Sequence, residues 1–196
     1  SAALAAALAL APAALARDIE EVPPNLSDSH RCDAERLDAF RDFRENYSLE
    51  VAGGSAPEAE VDVRNCDFSG LDLSGKTLSA INAAGASFEG ANLQNAIMTR
   101  IYARRANFKG ANLESATLYE AQLQGADLRD ASLANALMST VFLGKDEGQA
   151  NVAAHSGEWA QMTGADLDAI FSISDVRKLC ENPTLTEEQR ELQLGC

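Results

Sequence analysis

Residues 61–145 read VDVRN CDFSG LDLSG KTLSA INAAG ASFEG ANLQN AIMTR IYARR ANFKG ANLES ATLYE AQLQG ADLRD ASLAN ALMST VFLGK, seventeen units of five without a gap. The register returns at residues 160–174 as AQMTG ADLDA IFSIS, bringing the total to 20 units. The middle residue is apolar in 19 of the 20, with ten Leu, three Phe, three Met, two Ala and one Val; Ser172 is the exception. The first residue is Ala in 12 of the 20, and the other three positions are mostly Asp, Asn, Ser, Thr, Gly or charged. Two inward positions per five residues fit neither a helix period of 3.6 nor a strand period of 2. A chain that turns a corner every five residues satisfies the pattern. Each straight edge then sends one large and one small side chain inward, and alanine suits an interior with little volume.

Four edges make a coil of 20 residues, and the side chains repeat at that distance. Phe68, Phe88 and Phe108 form one series, continued by Leu128 and, past an excursion at 146–159, by Met162. Ile81 and Ile101 form another, as do Leu73, Leu93, Leu113, Leu133 and Leu167, and Leu78, Met98, Leu118 and Met138. Stacked coils would place each series in a column of matched sizes.

The units ANLQN, ANFKG, ANLES and ADLRD resemble the A-[DN]-[LF]-x-x repeat of the pentapeptide-repeat family, over about 100 of the 196 residues. The resemblance implies an all-β solenoid, a right-handed quadrilateral β-helix, here of about five coils over 61–174. Sheet spacing of about 4.8 Å would make it a rod roughly 24 Å long. Its two ends are open edges that need caps. Within 17–60, a helix from Asp28 to about Tyr47 carries an apolar stripe of Ala34, Leu37, Phe40 and Phe43 and supplies one cap across a link at 51–57. Within 175–196, Ser174 N-caps a short helix, DVRKLC. Thr186 and Gln189 have capping-box spacing for a second helix ending near Leu194. In this layout the four cysteines, for which three pairings exist, are best placed as Cys32–Cys66 and Cys180–Cys196, each tying a cap to its neighbour. Four free thiols are the alternative, and no C-x-x-C spacing points to zinc.

The first 16 residues, SAALAAALALAPAALA, are uncharged and end in the small-x-small pattern Ala14-Leu15-Ala16. They read as the apolar core of a cleaved export signal, too short to span a bilayer comfortably. The mature chain is then expected to be soluble and monomeric. Export favours disulfides. The Ala-rich leader, capped repeat and four cysteines together resemble thylakoid-lumen pentapeptide-repeat proteins of plants and algae. That resemblance implies a thylakoid-transfer signal at the end of a chloroplast transit peptide. The bacterial periplasm is the alternative address.

The net charge of -14 invites comparison with pentapeptide-repeat proteins that mimic DNA and bind type II topoisomerases. The distribution opposes it. Residues 17–60 carry 12 acids and 5 bases, whereas the longer segment 61–174 carries 13 and 8. No nucleic-acid partner is expected of so acidic a chain. The sequence holds no catalytic constellation and no expected metal or cofactor site; outward Asp and Asn are explained by turn chemistry. Three features stand apart from the repeat. Ile97, Tyr102, Leu137, Phe142 and Phe171 take second positions that should face solvent, on two adjacent faces. Either a cap, the loop or the linker covers this strip, or a protein partner does. The loop 146–159 carries His155 and the single tryptophan, Trp159. Arg100, Arg104, Arg105 and Lys109 make a basic cluster that reads as a solvated face. The function expected is that of a non-enzymatic interaction or scaffold module, with a thylakoid membrane complex or assembly factor as its expected partner.

Overall fold

The computed structural model describes residues 30–39, 61–144 and 159–196. The expected export signal, most of the expected 28–47 helix, the link and nearly all of the 146–159 loop lie outside the described residues.

Every fifth residue from Asn65 to Thr140 has a positive φ, between 54° and 69°. Six of these sixteen are glycines; the rest include Asn65, Ala80, Arg100 and Glu120. Each stands third in a four-residue turn, closed in all but those of Ala80 and Thr140 by a bond such as Cys66 N–H to Val63 C=O at 3.1 Å, and a left-handed residue there is what a type II turn requires. The second residue of a unit reinforces the corner. Asp67, Asp72, Asn92, Asn107, Asn112 and Asp127 each accept the N–H two residues on through Oδ1, at 3.0 to 3.2 Å. This is the Asx turn, and it is why Asp and Asn occupy that position.

Between corners the chain is extended, and second positions pair in parallel with those of the next coil. The bridges form four columns, one on each face of a quadrilateral β-helix. Face one is Asp62, Asn82, Tyr102, Gln122 and Phe142; face two is Asp67, Ser87, Asn107, Asp127 and Gln161. Face three is Asp72, Asn92, Asn112, Ser132 and Asp166; face four is Thr77, Ile97, Thr117, Leu137 and Ile170. The bonding alternates: Val63 N–H donates to Asn82 C=O at 2.8 Å and Asn82 N–H donates back to Val61 C=O at 3.0 Å.

The first and third residues of each unit fill the interior. Phe68, Phe88 and Phe108 are fully buried and stack with ring centroids 5.3 and 4.9 Å apart. Alanine at Ala86, Ala91, Ala96, Ala106 and their successors is equally buried. Larger first residues there would collide with the column of large residues opposite, since protein interiors are close-packed.

The register slips once. Asp127 pairs with Gln161 and Ser132 with Asp166, both 34 apart, but Leu137 pairs with Ile170, 33 apart. The edge before Ile170 is one residue short. Its corner is closed by Ala169 N–H to Leu167 C=O at 2.7 Å, a tighter turn without a left-handed residue. This corrects the sequence reading. Ile170 stands over Leu137, and Phe171 is half-buried and packed against the core.

Helix α1 (Ala34–Ala39) lies at the N-terminal end, with Leu37 fully buried in the solenoid core. Cys32 and Cys66 are bonded, with Cα atoms 5.3 Å apart. Helix α2 (Ile173–Leu179) and a π-helical segment (Gln189–Leu194) lie at the other end, joined by the Cys180–Cys196 disulfide. The N-cap of α2 is Ser172, not Ser174: its Oγ accepts the Asp175 N–H at 3.2 Å. The one-residue slip moves the helix start back with it. The Thr186–Gln189 capping box is present, Gln189 N–H donating to Thr186 Oγ1 at 3.1 Å and Thr186 N–H to Gln189 Oε1 at 3.0 Å.

Candidate functional site

The described residues offer surfaces rather than a reactive centre. No group of three or more His, Cys, Asp or Glu among them could hold a metal ion. All four cysteines are in disulfides.

The outward carboxylates are largely neutralised where an arginine is near. Asp62 and Arg64 form a 2.6 Å ion pair. Partial burial raises the Asp62 pKa, but hydrogen bonds from the Arg64 side chain and backbone outweigh it and hold the carboxyl below its usual 3.8. The Arg129 guanidinium does the same for Asp127, and that of Arg100, 2.7 Å away, for Glu120. The basic cluster read from the sequence is accordingly dispersed. Arg100 serves Glu120, Lys109 is exposed on another face, and Arg104 is only 3% exposed. The Arg104 guanidinium lies 5.1 Å above the Tyr102 ring and donates to Tyr102 Oη at 2.9 Å.

That contact also settles where Tyr102 belongs. It is 8% exposed, flattened into face one between Asn82 and Gln122, so it presents little surface to a partner. Phe142 is half-buried at the end of the same column, beside Trp159, whose ring packs so closely on Gly144 that an added Cβ would meet its Cε3 at 2.3 Å. Val141, Phe142, Trp159, Asp175 and Lys178 border a shallow recess there. Face four differs. Ile97, Leu137 and Ile170 stack in one column, 40%, 37% and 59% exposed, with Tyr119 at 38% two residues from Thr117 of that column. Among the described residues, these exposed large apolar side chains aligned on a rigid face make face four the candidate docking surface.

The sequence candidates therefore divide. Ile97 and Leu137 share the exposed face, Tyr102, Phe142 and Trp159 line a mostly covered one, and Phe171 turns inward. Ile170 and Tyr119 were missed. Ser172 held the signal for Ile170. It is the single polar residue in a middle position, and moving the frame back by one places Phe171 in that slot and Ile170 outward. Tyr119 occupies a fourth position, and its departure from the mostly polar residues there was the signal for it.

The pentapeptide-repeat family model matches residues 64–100 and 101–143 in eight copies. Solved structures with a similar chain include a pentapeptide-repeat protein, Rfr23, of the cyanobacterium Cyanothece 51142. It is 25% identical, over 61% of this chain and 68% of that one, with a TM-score of 0.26. Another is a pentapeptide-repeat protein of the Arabidopsis thaliana thylakoid lumen, 23% identical over 67% of this chain and 86% of that one, with a TM-score of 0.31. A third is QnrB1, a plasmid-mediated fluoroquinolone resistance protein, 19% identical over 59% and 64% of the two chains, with a TM-score of 0.29. No curated protein matches by sequence. The segment of this chain from residue 64 to residue 143 is thus built of pentapeptide repeats.

Proposed function

We propose that this protein is a non-enzymatic scaffold of the thylakoid lumen and that a protein partner docks on face four. The observation that carries this is the exposed column of Ile97, Leu137 and Ile170 on a face whose backbone is fixed by parallel bridges. A rigid, pre-formed surface binds with little ordering entropy, so a modest apolar patch suffices for recognition. Helices over the bore at the two ends of a five-coil rod would leave face four as its exposed apolar side. The Ala-rich leader and the two disulfides support an oxidising compartment reached by export. The DNA-mimic reading is the weaker one, because Asp62, Glu120 and Asp127 are each matched to an arginine rather than presented as a phosphate-like array.

The test is affinity capture from thylakoid lumen and solubilised thylakoid membranes, using the mature chain and an Ile97→Lys/Leu137→Lys variant. The expected result is a partner retained by the parent chain and lost by the variant. Capture that ignores the variant would sink face four, and recovery of gyrase subunits would replace the scaffold reading with the DNA-mimic one.

A further inference from the structure

The first coil leaves part of its outer edge unpaired. The N–H groups of Asp67 and Asp72 and the carbonyls of Asp67, Ser69, Asp72 and Ser74 point away from the second coil and have no hydrogen-bond partner among the described residues. In later coils every equivalent group on faces two and three is bonded to the coil before: Ser87 N–H reaches Cys66 C=O at 2.8 Å, and Phe68 N–H reaches Ser87 C=O at 2.7 Å. Burial follows the same line. Asp67, Ser69, Leu71, Asp72 and Ser74 are exposed, whereas Ser87, Asn92, Asn107 and Asn112 of the following coils are half-buried. Faces one and four of the same coil are closed. Arg64 and Thr77 are 7% and 5% exposed, and Arg31 donates to Arg64 C=O at 2.7 Å. The open stretch is thus a defined segment of β-edge, bounded on both sides.

The geometry points to this edge as a docking site for an extended, basic segment of a protein partner, added to faces two and three as one more edge of the solenoid. Added strands take affinity from main-chain bonds and specificity from side-chain positions. Here the side-chain positions are specific. The partner residue stacked on Asp72 occupies the column in which Asn92 Nδ2 donates to Asp72 Oδ1 at 3.0 Å. Hydrogen bonds from Ser69 and Ser74 hold the carboxyls of Asp67 and Asp72 below the usual carboxylate range, so both are charged at neutral pH. A lysine or arginine there is favoured. A second copy of this chain, meeting edge to edge, would set like charges opposite one another and is disfavoured. Leu71, 40% exposed, adds an apolar contact between the two faces. The next coils carry Ala91, Ala111 and Ala131 at its position, so the solenoid interior does not call for leucine there.

The probe is a synthetic peptide of two units, Ala-Arg-Leu-Ser-Gly repeated, compared with its Glu-for-Arg counterpart and with a form N-methylated at both leucines. Binding to the mature chain is followed by fluorescence anisotropy, and amide protection by NMR. The expected result is that the arginine peptide binds about tenfold more tightly than the glutamate one. It should protect the Asp67 and Asp72 amides and be lost on N-methylation. Asp67→Asn/Asp72→Asn keeps the turn acceptors, as Asn92 and Asn112 do natively, and should erase the charge preference. Leu71→Ala should weaken both peptides a few-fold. Ile97→Lys/Leu137→Lys should change nothing, which separates this site from face four. The inference is overturned by absence of binding, by binding indifferent to methylation, by protection elsewhere in the molecule, or by self-association through this edge.

Discussion

At the C-terminal end, side chains stand in for a missing coil. Asn182 donates to Ala160 C=O at 2.9 Å, Gln189 Nε2 reaches both Met162 C=O and Ala165 C=O at 2.9 Å, and Thr184 and Gln193 accept the Met162 and Leu167 N–H groups. Asn182 and Gln189 are themselves buried, with Leu179 and Leu185 beneath them in the core. At the N-terminal end the interior is plugged by Leu37 and tied by Cys32–Cys66, but on faces two and three the backbone edge stays bare. One end replaces the hydrogen bonds of the next coil; the other covers the oily bore and leaves part of the rim. An open rim invites another chain, so the difference between ends is a difference in what each can do.

Removing the two disulfides separately should give the largest effects. In the loop-entropy model Cys32→Ser/Cys66→Ser costs about 4 kcal/mol and Cys180→Ser/Cys196→Ser about 3, because the closed loops differ in length. Guanidinium unfolding midpoints measure both. The reverse order would show that the C-terminal amide network depends on its disulfide, and the contrast between ends would fail.

Gln189→Ala should come next, losing about 2–3 kcal/mol by stranding two carbonyls and half of a capping box. Arg31→Ala removes a single bond to a carbonyl at the other end and should stay near 1 kcal/mol. Equal losses in thermal unfolding would mean that both ends rely on substituted hydrogen bonds.

Ala80→Gly should stabilise by about 1 kcal/mol, since Ala80 holds a φ of 55° that glycine adopts without strain. A rise in Tm of a few degrees is the readout.

The smallest effect should be an acid sensitivity greater at one end than at the other. Asp62, Asp67 and Asp72 have folded-state pKa values below 3.8, so their stabilisation is complete above that pH and lost as pH falls through the lowered values. The C-terminal network is made of amides and hydroxyls that do not titrate. Hydrogen exchange below about pH 4 should therefore loosen the first coil before the last. Simultaneous loosening would deny the two ends separate chemistry.

Much of the solenoid was legible because its two determinants recur in register: a large apolar residue at most middle positions and Asp or Asn before nearly half of them. Columns such as Phe68, Phe88 and Phe108 follow from spacing alone. The left-handed corner residues were less legible, since Ala80, Arg100 and Glu120 carry no turn signature; the fold imposes the conformation that glycine would choose freely. Which outward apolar residues stay exposed was not legible. Tyr102 and Ile97 look alike in sequence, and only the buried Arg104 beside Tyr102 distinguishes them. The open rim was illegible in kind, because nothing in Asp67 or Ser74 announces that their outward backbone groups go unbonded.

The short edge before Ile170 has a consequence for how long this molecule can be. Each coil hands its successor a frame of 20 residues, and a pattern so regular contains no instruction to stop. Dropping one residue supplies that instruction. With the frame broken, Phe171 swings into the slot that a middle residue would fill, Ser172 becomes free to cap α2, and the chain leaves its helical track within three residues. Restoring a residue between Asp166 and Ile170 would erase the terminus rather than merely disturb it. The rod is measured off by an omission.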